Sequence, residues 1–194
     1  MTEHIHSHVE RATEVLKHEH RLIERALDVL ERALVTLEQD RPADKDLLGK
    51  VTEFFKGFVD ACHHKKEEQA LFPRIAARGV PIEGGPIGVM LSEHDEGRGY
   101  IHGLAEGVTL LGQEPGQAKR LIYENGRRYI ALLRTHIQKE DNVLFALADR
   151  CLTAKDQHEV VRRFEETERQ GGEGRHERFV NLIEELERLA PGSV

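Results

Sequence analysis

Apolar residues fall at Leu16, Ile23, Leu30 and Leu37, with Leu27 and Leu34 interleaved, which is the spacing of one buried stripe on a long helix. This pattern predicts a helix over 9–39, with His20 inside the stripe. Pro42 ends it, and a second stripe through Leu48, Phe55 and Val59 predicts a helix over 43–77. Two Pro and four Gly between Gly79 and Gly88 mark a connection. A third helix is expected over 87–111. After a turn punctuated by Gly112 and Pro115, a fourth over 116–148 carries Leu121, Tyr129, Leu132, Val143 and Leu147. Thr153 with Asp156 reads as a capping box opening a fifth helix to about Arg169, and Gly171-Gly172 separates it from a last helix over 175–189. No segment reads as a strand. The expected fold is all-α: an up-down four-helix bundle over 10–150, a flexible N-terminus over 1–9, and a C-terminal helical extension over 151–194 packed on the bundle.

A repeat runs through this pattern. His63-x-x-x-Glu67 with Leu71-Phe72 returns as His136-x-x-x-Glu140 with Leu144-Phe145, 73 residues later at every matched position, and Glu19-His20 is answered by Glu93-His94 after 74. The chain reads as a duplicated helical pair in which each half carries one lone His and one His followed by Glu one helical turn on. Positions four apart share a helix face. His63 follows Phe55 and Val59, His94 aligns with Met90 and Ile101, and His136 with Tyr129 and Leu132, so His20, His63, His94 and His136 are expected to point inward. Glu67 and Glu140 follow them. A buried carboxylate without a partner costs several kcal/mol as an order of magnitude, and a shared pair of metal ions removes that cost while taking the lone pairs of neutral imidazoles. His18 and His64 lie more than a quarter turn from their neighbours and are expected to face outward. Tyr129, two turns before His136, is expected in the core. Gly99, Gly103 and Gly107, spaced by four, are expected to permit close helix contact, and His4, His6 and His8 to form a solvated tract.

Composition narrows the classes of function. The chain has 194 residues and 22.1 kDa, enough for one domain with a core, with 32% charged and 5% aromatic residues and no Trp, as in long amphipathic helices. A net charge of −7 and pI near 6.0 argue against nucleic acid or an anionic membrane as partner. No apolar run reaches membrane-spanning length and Met1-Thr2-Glu3-His4 lacks a signal pattern, so a cytoplasmic location is expected. Cys62 and Cys151 stand outside any CxxC and are expected to be packing residues.

Lys17-His18-Glu19-His20, His63-His64-Lys65-Lys66-Glu67-Glu68 with Leu71-Phe72-Pro73, Glu93-His94-Asp95 and His136-Ile137-Gln138-Lys139-Glu140-Asp141 together resemble the hemerythrin-like family, also called HHE cation-binding domains, over 16–148. The resemblance implies a bundle holding a non-haem di-iron centre, two irons with an oxo or hydroxo bridge, the two carboxylates bridging them and His nitrogens completing the sites. Two departures stand out. Oxygen-carrying members have a second His four residues after the third-helix His, where this chain has Arg98. They also place an Asp five residues after the last His, which makes Asp141 a rival to Glu140; the i+4 geometry repeated from Glu67 favours Glu140. His176, heading a stripe with Phe179, Ile183 and Leu186, is a candidate for the missing nitrogen.

The nitrogen-rich donor set points to binding, sensing or detoxifying dioxygen, nitric oxide or peroxide rather than to hydroxylation. A second reading, also implied by the resemblance, is an iron-handling module that repairs iron–sulfur centres or senses iron. A third is a structural bundle using zinc.

Overall fold

A computed structural model describes residues 11–39, 41–172, 174–190 and 192. The expected N-terminal segment over 1–9, with His4, His6 and His8, lies outside the described residues. Among the described residues there are six helices and no strands: α1 Ala12–Glu38, α2 over 45–76, α3 Pro86–Leu110, α4 over 115–151, α5 Ala154–Gly171 and α6 Arg175–Leu189. The boundaries follow local chemistry. Asp44 accepts hydrogen bonds from the backbone N–H groups of Asp46 and Leu47, Pro stands in the first turn of α3 and of α4, and Thr153 and Asp156 close the expected reciprocal cap on α5.

Helices α2 and α4 are not uniform. Within α2, Phe55–His64 and Glu67–Leu71 take i→i+5 turns, and within α4 Glu140–Leu144 does the same. The two shorter stretches sit at equivalent places in the two halves of the repeat.

The first four helices form a closed ring, since α1 packs on α2 and α4, and α3 packs on α2 and α4. The α3–α4 contact is close because Gly103 and Gly107 leave no Cβ: one built at Gly103 would stand 2.6 Å from Asn125, and one at Gly107 2.9 Å from the backbone nitrogen of Ile122. Gly99, by contrast, has nothing within 4 Å of its would-be Cβ. Helix α6 lies against α1 and α2, where Phe179 meets Phe54 and Phe58, and α5 covers α1 and the end of α2.

Two apolar layers fill the ring. One gathers Ile23, Leu27, Leu30, Phe54, Phe55, Val59, Ile101 and Ile137. The other gathers Leu16, Ala70, Leu71, Ile75, Met90, Leu144 and Phe145. Each fully buried aliphatic or aromatic side chain here contributes roughly 1.5–3 kcal/mol. Between the layers lies a stratum of buried polar residues: His20 follows Leu16, His94 lies between Met90 and Ile101, and Glu140 between Ile137 and Leu144.

Candidate metal centre

Seven side chains meet in the polar stratum: His20 from α1, His63, His64 and Glu67 from α2, His94 from α3, and His136 and Glu140 from α4, all at most 4% exposed. The i→i+5 turns explain how one helix delivers three of them. Such a turn advances less per residue than an α turn, so neighbouring side chains fan over a narrower arc and His63 and His64 both reach inward.

The donors divide into two sets, His20, His63, Glu67 and Glu140, and His64, Glu67, His94 and His136, with ligand atoms within 4.8 Å of one another in each. Glu67 belongs to both. Its Oε1 lies 3.7 Å from His63 Nε2 and its Oε2 3.5 Å from His94 Nε2, so one carboxylate spans the two sets. Glu140 Oε2 lies 3.2 Å from His20 Nε2 and 3.3 Å from His136 Nε2.

Four of the five imidazoles are held from behind by a carboxylate at Nδ1. His20 pairs with Asp141 at 2.7 Å, His63 with Glu19 at 2.8 Å, His94 with Glu68 at 2.7 Å and His136 with Glu93 at 2.9 Å. A carboxylate at Nδ1 leaves Nε2 as the inward lone pair, the tautomer a metal ligand needs, and raises its basicity. The sequence repeat extends to this support. Glu19 and Glu93 hold the His of their respective His-x-x-x-Glu motifs, Lys66 and Lys139 bind those same two glutamates, and Glu68 and Asp141 each hold the lone His of the opposite half.

The inward atoms do not satisfy one another. Both oxygens of Glu67 and Glu140, Nε2 of His20, and both ring nitrogens of His64 make no hydrogen bond. Burial beside the charge of Glu140 drives the Glu67 carboxyl well above the usual range. Glu140 is held well below it, because His136 and His20 overcome the opposing effect of burial. Burial lowers His63 to about 4, keeping it neutral. Buried carboxylates without hydrogen-bond partners, facing converging imidazole nitrogens, are the donor chemistry of a transition-metal pocket, so these residues fit a transition-metal ion.

Two expectations, for His64 and His176, need correction, and those for Glu140, Tyr129 and His18 agree with the structure. His64 does not face outward; it is buried and its ring stacks on His94 with centroids 3.8 Å apart. His176 does not join either set. It is exposed at the start of α6, against Phe58, and sits near Glu19 and Glu168, whose carboxylates are already joined by the buried Lys66 ammonium. Where the third helix carries Arg98, a fifth inward imidazole is present on α2 instead, that of His64. Asp141 backs His20 rather than entering the stratum, while Glu140 enters it. Tyr129 packs edge-on against Phe55 at 4.8 Å, and His18 is exposed. Arg98 ties Asp60, Glu68 and Asp95 together. The supporting role of Glu19, Glu68 and Glu93 is not among the expectations, although the repeat that pairs Glu19 with Glu93 and Glu68 with Asp141 carries its signal.

Comparisons with known proteins agree with this chemistry. The chain is 22% identical over 178 residues to uncharacterized protein Rv1995 of Mycobacterium tuberculosis, covering 91% of this chain and 69% of that one, and equally to uncharacterized protein Mb2018 of Mycobacterium bovis. It is 39% identical over 89 residues to the iron-sulfur cluster repair protein YtfE of Salmonella paratyphi B, covering 44% of this chain and 40% of that one. No solved structure matches. No helix is long and apolar enough to cross a membrane among the described residues. The hemerythrin HHE cation binding domain matches residues 11–148, and with that match the chain belongs to the hemerythrin HHE cation-binding domain family.

Proposed function

We propose that this protein holds a non-haem di-iron centre and uses it to bind, sense or detoxify a small ligand of the dioxygen, nitric oxide or peroxide class. The observation that carries this reading is Glu67, whose two oxygens address imidazoles of different donor sets, so that two ions held there would share it. His20, His63, Glu67 and Glu140 would hold one ion and His64, Glu67, His94 and His136 the other, with Glu140 Oε2 near an imidazole of each set.

Iron supplies an electron-rich, exchangeable coordination position when bound. The residues set its character. Two carboxylates offset two of the four positive charges of a ferrous pair, and five neutral imidazoles offset none. Further oxidation adds uncompensated charge at a buried site, which low dielectric makes costly. The reduced pair is thereby favoured, which suits reversible ligand binding better than attack on a C–H bond. Phe145 stacked against His20 and Phe72 beside His94 give those two rings apolar neighbours.

The second reading, an iron-handling role in repair of iron–sulfur centres, is favoured by the partial similarity to the repair protein. One experiment separates the readings. Protein loaded anaerobically with ferrous iron should bind two ions, and exposure to air followed by removal of oxygen should produce and then reverse a visible absorption band. Irreversible oxidation with iron release favours the repair role. A single zinc retained from iron-rich medium, or no metal at all, overturns the di-iron reading.

A further inference from the structure

The duplication that organises the centre breaks at one donor. Every ligand and every supporting carboxylate has a counterpart in the other half, but His64 is matched by Ile137, a core residue 1% exposed. His64 is also the one imidazole of the five without a carboxylate at Nδ1. Asp60, one turn earlier, comes no nearer than 3.8 Å, and its Oδ1 accepts instead from Arg98 Nε at 2.7 Å. An imidazole anchored at Nδ1 is fixed in orientation and strengthened as a donor. His64 has neither advantage, and only stacking on His94 and packing keep its ring in place.

The same residue borders a cavity. A space of about 240 Å³ opens between α2, α3 and α4, with Phe55, Ile101 and Tyr129 as apolar lining, Asp60 and Arg98 among the polar groups, and His64 at the centre's side. None of the other six donors lines it. The volume exceeds several water molecules, at roughly 30 Å³ each, and admits a ligand of two or three heavy atoms.

Resting on the di-iron reading, we propose that His64 is the exchangeable arm of the centre: a small external ligand enters through this cavity and takes the position that the His64 imidazole gives up. The exchange is balanced. With iron bound, the bond from the inward His64 ring nitrogen to the ion would break with the lone pair staying on the ring, a lone pair of the incoming ligand would take its place, and no electron or proton need move. The set containing His20 and His63 keeps its anchored donors, so the ligand is directed to the position served by His64, His94 and His136.

The test uses full-length protein loaded with ferric iron and titrated with azide, with metal content measured on the same samples. His64→Ala should keep two ions and bind azide about tenfold more tightly, because the competent state no longer waits on imidazole release. His94→Ala, which removes an anchored ligand, should fall to one ion. Gly97→Leu projects into the cavity, since a Cβ at Gly97 meets Tyr129 and Leu132 only at ordinary contact distances of 3.5 and 3.7 Å. It should keep two ions while azide associates about tenfold more slowly or worse, the scale on which pocket contacts discriminate. Loss of an ion in His64→Ala, or unchanged azide affinity there, overturns the proposal, as does an unchanged association rate in folded Gly97→Leu. If Gly97→Leu does not fold, His64→Ala decides alone. A wild-type protein that binds no metal sinks the di-iron reading itself, whereas two ions with an indifferent His64→Ala sink the exchangeable arm alone.

Discussion

The Nε2 atoms of His94 and His136 face each other across 3.1 Å. Each ring donates its Nδ1–H to a carboxylate, His94 to Glu68 and His136 to Glu93, which leaves two lone pairs opposed unless a positive group stands between them. A proton answers part of this need. Against the opposing effect of burial, Glu140 and Glu93 raise His136 to about 9. A metal ion answers all of it.

Metal should therefore stabilise the fold markedly. With free ferrous iron at about 100 times its dissociation constant, the gain is about 2.7 kcal/mol, or roughly 5–10 °C in melting temperature for a chain of this size. Calorimetry under argon, before and after adding a chelator, measures it. Identical melting curves would count against a binding centre.

Glu68 contributes through His94, which it orients from 2.7 Å. Glu68→Gln should lower metal affinity roughly 10- to 100-fold, the usual effect of removing a carboxylate behind a metal-bound imidazole. Glu96→Gln, on the exposed side of α3, should leave affinity unchanged. Competition with a coloured chelator compares the two.

Glu19 links stability to pH. Burial pushes its carboxyl upward, but the His63 Nδ1–H and the Lys66 ammonium both donate to it and hold it near 2, below its ordinary 4.5. A depressed carboxylate contributes stability that is present above pH 4.5 and is lost as pH falls from 4.5 toward 2. Metal-free protein should weaken across that window. Glu19→Gln should flatten the window and cost about 3 kcal/mol at pH 7, the low end for breaking a buried ion pair, because Glu168 still meets Lys66. Urea denaturation at pH 7, 4.5 and 3 reads both effects.

Two glycines on α3 should respond in opposite ways. Gly107→Ala forces a methyl against Ile122 and should destabilise by about 1–3 kcal/mol. Gly99→Ala meets open space and should stabilise by up to about 1 kcal/mol through helix propensity. Thermal melts of the two variants give the sign directly.

Much of this architecture can be read without coordinates. The stripe through Leu16, Ile23 and Leu30 and the breaks at Pro42 and Gly112 place α1 to α4 within a few residues of their observed ends, because helical period and chain breakers act over one or two turns. The outward placement expected for His64 fails for a specific reason. A uniform 100° step turns it away from His63, whereas the i→i+5 turns of α2 carry both rings inward. His176 failed differently: the stripe behind it does pack, with Phe179, Ile183 and Leu186 buried, but the stripe's first residue stands outside the core.

The amino-acid order alone determined an all-helical chain, duplicated once, with a lone His and a His-x-x-x-Glu in each half, since periodicity and repeats are local properties of the chain. Folding in three dimensions decided which carboxylate stands behind which imidazole, that His64 rather than His176 joins the buried imidazoles, and that Asp141 stands behind His20 while Glu140 points inward. Those outcomes depend on where four separate helices bring their side chains to the same level, and no spacing along one strand of sequence contains that distance.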